Sequence, residues 1–286
     1  MKLRNLGWSA LALCALAVTA QAHQLWLGAS NYVLAYPGTR PGPVSTTAFV
    51  TFGHKFPVDE TLDDERFGGL YLVSGDRPAQ KLDTAPTGYR SVPLKFEAAG
   101  AHWLSSVNKP IFSTQMKDDK GIVTYARVPK NEAPKTGGRV VDSTQIHGFA
   151  KTLLFVKGEG VAAKADALAA RPLGHTLEIV PAKNPSALAK GDTLSVQVLF
   201  RGKPYVEESI ELLAEHVAGA YIGTPAKWIG KTDKQGRVDV PLALAGPWQL
   251  LVTVLDAPPA EIKGKADQVR YRATLVFEVP GASYSQ

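Results

Sequence analysis

Apolar positions along this chain fall in short runs punctuated by glycine and proline, and the clearest run has a period of two. Between residues 193 and 200, Leu194, Val196, Val198 and Phe200 alternate with Ser195, Gln197 and Leu199, the pattern of a strand with one face buried. Similar strands are predicted at residues 26–36, 44–52, 69–73, 89–97, 101–107, 121–127 and 149–156. A second set is predicted at 175–180, 209–214, 238–244, 249–255 and 271–279. Turn signals separate them: Pro37-Gly38, Arg40-Pro41-Gly42-Pro43, Arg201-Gly202-Lys203-Pro204, and a hairpin over residues 231–237 in which Gly236 supplies a positive φ. Residues 161–170 are alanine-rich and helix-compatible, and with Arg171-Pro172-Leu173-Gly174 they read as a linker. The predicted fold is all-β: a β-sandwich domain over residues 23–160, a linker over 161–174, and a second sandwich, immunoglobulin-like or prealbumin-like, over 175–280.

The first residues carry a different pattern. Lys2 and Arg4 precede an apolar stretch over residues 6–18, and Ala20-Gln21-Ala22 has the small-x-small form of a peptidase site. Residues 1–22 therefore read as an export signal, and the mature chain as periplasmic or secreted. The stretch is shorter than the roughly 20 residues a bilayer requires, and no second apolar span follows, so no transmembrane segment is expected after cleavage. Cys14, the only cysteine, lies in this segment behind Leu13 rather than a small residue, which argues against a lipoprotein. Disulfides, thiolate nucleophiles and cysteine-ligated zinc are excluded for the mature chain. Losing Lys2 and Arg4 takes the formal charge from +6 to +4. The basic residues are scattered among acidic ones, so nucleic acid is not expected as a partner.

Cleavage after Ala22 would make His23 the first residue. Its free α-amine and ring Nδ1 could then close a six-membered chelate on one metal ion, both nitrogens being near-neutral bases at little cost. His54 follows Gly53 at a strand end, His102 sits beside Trp103 in a strand pattern, and His147 opens another strand. His23, His54, His102 and His147 are the candidate metal ligands; His175 and His216 read as packing or surface residues. An all-nitrogen set favours nickel or copper over calcium or magnesium, with zinc also accommodated. No His-x-x-x-His or His-Glu-x-x-His is present, so a site must be assembled across strands. The acidic run Asp59, Glu60, Asp63, Asp64 and Glu65 lacks the glycine and terminal glutamate of a calcium loop and reads as solvated. Trp26, Trp103, Trp228 and Trp248 read as core rather than a sugar platform. No Gly-x-Ser-x-Gly elbow or phosphate-binding glycine loop is present, so the chain is not expected to be an enzyme.

The His23-Gln24-Leu25-Trp26 start, the Gly53-His54 pair, and the stretch from Gly174-His175-Thr176-Leu177-Glu178 through Asn184-Pro185 and Gly191-Asp192 to Gly202-Lys203-Pro204 together resemble one family, as do Thr232, Gly236-Arg237 and Gly246-Pro247-Trp248. It is a periplasmic family catalogued as a domain of unknown function and associated with nickel/cobalt uptake systems. The resemblance spans essentially the whole mature chain. It implies an exported β-protein that binds a divalent transition metal, nickel or cobalt with copper as a further candidate, for a membrane metal transporter. Only His23 and Gly53-His54 carry over as ligand positions. Two other readings stand beside it: a metal-free envelope module that binds protein or glycan, and a copper oxidase built on an N-terminal histidine brace.

Overall fold

A computed structural model describes residues 23–35, 43–86, 88–206, 210–217 and 227–281. The expected leader over residues 1–22 and most of the turns over 37–43 lie outside the described residues. The strands are β1 (Gln24–Ala29), β2 (Val33–Leu34), β3 (Val44–Gly53), β4 (Leu70–Ser74), β5 (Gln80–Leu82), β6 (Val92–Phe96), β7 (Gly100–Val107), β8 (Ile111–Lys117), β9 (Val123–Ala126) and β10 (Arg139–Val156). Helix α1 (Ala162–Ala169) follows. The second half holds β11 (Leu177–Pro181), β12 (Thr193–Phe200), β13 (Lys203–Pro204), β14 (Glu211–His216), β15 (Lys227–Lys231), β16 (Arg237–Pro241), β17 (Gly246–Asp256) and β18 (Gln268–Val279). The chain is all-β with one short α-helix among the described residues, as the turn-punctuated pattern predicts.

Three sheets are layered. A central sheet of 11 strands runs β15-β14-β17-β18-β10-β7-β4-β5, with β2, β8 and β9 attached through β10 and β8. A three-stranded sheet, β1-β3-β6, covers one of its faces, and a four-stranded sheet of β11, β12, β13 and β16 covers the other. β10 is the spine. It pairs parallel with β18 from Thr144↔Gln268 to Thr152↔Val276, and antiparallel with β8 and β7 along its other edge.

Because successive side chains of a strand point to opposite faces, one strand feeds two cores. Ala150, Leu154 and Val156 join the core under β1, β3 and β6, while Phe149 and Leu153 join the core under β11, β12 and β16. Leu104 and Trp103 divide the same way on β7, and so do Val276 and Leu275 on β18. The two sequence halves on either side of residues 161–174 thus meet in one sheet. Ala165, Leu168 and Ala169 of α1 pack into the second core, where Trp103 Nε1 donates to the Leu168 carbonyl at 3.1 Å.

One charged pair lies inside that core. Lys151 of β10 and Glu178 of β11 are each 1 % exposed and meet at 2.6 Å, with the ammonium 4.6 Å from the centre of the Trp103 ring. Burial alone would raise the Glu178 carboxyl. The Lys151 cation and the N–H groups of Leu173 and Gly174 outweigh that and hold it below the usual carboxylate range. The pair ties the 171–174 segment to the central sheet. Replacing Lys151 with Met would leave Glu178 buried without its cation, a change expected to cost about 3–5 kcal/mol. Urea unfolding checks this, and unchanged stability would refute it.

Candidate functional site

β1 and β3 pair antiparallel from Ala29↔Ala48 to Gln24↔Gly53. One further step of that register sets His23 opposite His54, and directly opposed side chains on one face are close neighbours. The two rings lie 4.2 Å apart between centroids, tilted by 49°, and the His23 ring also stacks on Phe52 at 5.2 Å. Sequence spacing alone, 31 residues, could not reveal this pairing.

What fixes His23 in place is the other edge of β1. β1 ends its sheet, so one row of its carbonyls has no ladder partner, and buried carbonyls must find donors. Side chains of the central sheet supply them. Arg272 Nη1 donates to the His23 carbonyl at 3.2 Å, Thr274 Oγ1 to that of Leu25 at 2.7 Å, and Thr152 Oγ1 to that of Leu27 at 2.7 Å. The donors recur at every second residue of β1, matching the alternation of its carbonyls.

His54 is held by its loop. Gly53 has φ +139°, a conformation that favours glycine, and a Cβ there would fall 2.5 Å from Asp59 Oδ2. That same oxygen accepts the backbone N–H groups of His54 at 2.6 Å and Lys55 at 3.1 Å, which keep the Asp59 carboxyl below its ordinary range. Phe52 and Glu60 close the loop with two backbone hydrogen bonds, and Trp26 Nε1 donates to the Pro57 carbonyl at 2.8 Å. The acidic run stays at the surface, with Glu60, Asp64 and Glu65 exposed, while Asp63 pairs with Arg66 and Arg127 and Asp64 with Arg90.

Glu60 Oε1 lies 3.0 Å from His23 Nε2. An ionised carboxylate only accepts, so Nε2 is the donor in this contact. A carboxylate behind a ligating imidazole is how metal sites fix tautomer and ring orientation. Burial, and then the neighbouring His23, hold the His54 ring below the usual histidine range, so it is neutral near pH 7. Among the described residues no group of three or more His, Cys, Asp and Glu side chains is placed to hold an ion. Two imidazoles alone make a weak site for an ion.

The other two predicted ligands do not join the pair. His102 borders a separate cavity of about 670 Å³, where its Nδ1 meets Ser74 Oγ at 2.7 Å and its ring packs 4.4 Å from Phe96. Burial, and then Arg77, push it down to about 4. His147 borders the same cavity as His23, but its ring stacks on Tyr271 at 5.0 Å and bonds Gln145 at 3.0 Å. Tyr271 belongs to the core on the opposite side of the central sheet, so strand alternation turns His147 away from the pair. His175 and His216 are packed: His175 meets Ser105 Oγ at 2.8 Å, and His216 bonds the Ala245 carbonyl at 2.9 Å. Trp26, Trp103 and Trp248 are core residues at 0, 0 and 1 % exposure.

The His23–His54 pair opens on a cavity of about 460 Å³ that is also lined by Phe52, Asn108, Asp142 and four arginines, Arg66, Arg127, Arg270 and Arg272. Glu60 and these arginines were not among the predicted site residues. Glu60 was hidden in an acidic run, whereas Arg270 and Arg272, two residues apart in a strand, carried a readable signal.

A family described as a domain of unknown function (DUF4198) matches residues 20–256. The chain belongs to this family. The match takes in β1, β3 and the loop that carries His54, and it ends at the close of β17. No curated protein matches the chain. Solved structures similar to it include the D0-D1 domain of intimin, at 13 % identity and TM-score 0.22, covering 90 % of this chain and 98 % of that one. Another is a structure of Clostridium thermocellum CbhA fibronectin(III)-like modules, at 10 % identity and TM-score 0.23, covering 91 % and 97 %. No helix among the described residues of this family member is long and apolar enough to cross a membrane.

Two outcomes follow from this geometry. Thr274→Val strands the Leu25 carbonyl without its donor and is expected to cost about 1–3 kcal/mol in urea unfolding; no loss would show that the edge of β1 is satisfied otherwise. His102 and His175 are both pushed down to about 4, chiefly by burial, from an ordinary 6.5. Between those values the unfolded chain takes up protons that the folded chain refuses, so stability falls as the pH drops from 6.5 toward 4 and flattens below. His102→Gln is expected to shallow that slope; an unchanged slope would contradict the assignment.

Proposed function

We propose that this chain is an exported transition-metal-binding protein, accessory to nickel or cobalt uptake, which holds its ion through the mature N-terminal His23 and through His54. The observation that carries this reading is the 4.2 Å approach of the two rings across the β1–β3 register. The amine and Nδ1 of His23 would form the chelate, the His54 ring would add a third nitrogen, and Glu60 would orient His23 through Nε2. Such a donor set suits Ni(II) and Cu(II), and excludes the hard-oxygen cages that calcium and magnesium prefer. Export rests on the leader pattern of residues 1–22, and the membrane transporter as partner rests on the family resemblance.

The test is calorimetry with Ni(II) and Co(II) on protein that begins at His23, beside protein with one alanine added before it and a His54→Ala variant. Each change is expected to weaken binding about tenfold or more, at least 1.4 kcal/mol. Equal affinity for all three proteins would defeat the reading.

The same three nitrogens, with Phe52 stacked against His23, also favour copper and keep the oxidase as a second reading. It predicts that the copper-loaded protein supplied with ascorbate and dioxygen makes peroxide faster than free copper does. A rate no greater than that of free copper removes it.

A further inference from the structure

The lining of the cavity beside the histidine pair is unbalanced in charge. Four arginines line it, from the loop after β3 (Arg66), the end of β9 (Arg127), and β18 (Arg270 and Arg272). Asp63, just behind the wall, is shared by Arg66 at 2.9 Å and Arg127 at 3.1 Å. The one carboxylate in the lining, Asp142, accepts from Thr144 Oγ1 at 3.0 Å and from Gln268 Nε2 at 3.4 Å. The lining itself thus holds four arginines and one carboxylate. Arg270 is half-buried, yet its guanidinium makes neither an ion pair nor a hydrogen bond among the described residues. It stands on the same face of β18 as Arg272, close enough to push the Arg272 guanidinium down, after burial, to about 10. Two like charges side by side in a wall cost stability unless something negative offsets them. The Arg66 guanidinium lies over the Phe52 ring, 4.2 Å from its centre.

We infer that this cavity binds a small polyanion with carboxylate or phosphate groups, gripped by Arg270 and Arg272 on one wall and by Arg66 and Arg127 on another. Arginine forks match both oxyanions in pairs of parallel hydrogen bonds, and about 460 Å³ is room for a ligand of few carbons. If the metal reading of the preceding subsection holds, the ion arrives with this anion as its oxygen-donor partner, the nitrogens of His23 and His54 taking one side of the ion and the anion the other. That consequence rests on the metal reading; the anion site does not.

The experiment uses chelator-treated, metal-free protein in calorimetric titrations with citrate, tricarballylate and pyrophosphate at fixed ionic strength. At least one is expected to bind. Arg270→Gln, and separately the exposed Arg127→Gln, are each expected to weaken it about tenfold, or 1.4 kcal/mol, with circular dichroism unchanged. Preference for the two carboxylates over pyrophosphate, or the reverse, identifies the class. Binding of none of them, or equal binding by wild type and both variants, overturns the site. Repeating the titration with Ni(II)–citrate separates the two claims. A gain over citrate alone that His54→Ala abolishes supports the joint ligand. No gain, with citrate still bound, sinks the joint ligand and leaves the anion site standing.

Discussion

The free edge of β1 is the constraint on which the site depends. An edge strand packed over another sheet leaves half its carbonyls facing protein rather than water, and each unmatched one would cost a lost hydrogen bond. Arg272, Thr274 and Thr152 meet them in turn at His23, Leu25 and Leu27. The result is a strand that cannot slide along the central sheet by one residue without losing all three donors. Its register with β3 is fixed as well, since both faces of β1 are buried and a one-residue slip would exchange Trp26 with Leu25 and Leu27 between two packed faces. His23 therefore sits at a defined height opposite His54, although it lies one residue before the first strand.

That clamp requires a rigid central sheet, and the sheet is rigid because it is covered on both faces. β10 and β18, paired in parallel over Thr144–Thr152 and Gln268–Val276, deliver alternate residues to two cores. The buried Lys151–Glu178 pair joins β10 to β11 on one face, while Thr152, its immediate neighbour, holds β1 on the other. Neighbouring residues of one strand thus secure the two outer layers. A polar pair in a core is a poor source of net stability but a costly thing to break, which makes it a good fixture for layer position.

Much of the strand layout was legible. Alternation at residues 193–200 coincides with β12, and the runs at 44–52, 101–107 and 271–279 each fall within a residue or two of an observed strand or inside a longer one. β8 and the first half of β10 were not legible, because their buried positions are mostly polar: beside Met116, Thr114, Ser143 and Thr144 are at most 2 % exposed, and Thr114 and Ser143 bond each other at 2.8 Å. A period-two reading of apolar residues passes over such a pair. At the site, Gly53-His54 stood out because a glycine at a strand end leaves a mark in one dimension, whereas the approach of His23 to His54 shows only in the register of β1 with β3. His102 and His147 misled for the complementary reason: strand residues beside aromatics look alike from either face of a sheet, and only the register of β10 with β18 tells which way His147 points.

The most direct measurement is a crystal structure, with anomalous scattering at the nickel edge, of protein beginning at His23 and loaded with Ni(II). The account predicts one strong peak within coordination distance of the His23 amine, its Nδ1 and the His54 ring, with Glu60 still on Nε2 and Arg272 still on the His23 carbonyl. A peak placed elsewhere, or two rings left apart with β1 detached from Thr152 and Thr274, would contradict it.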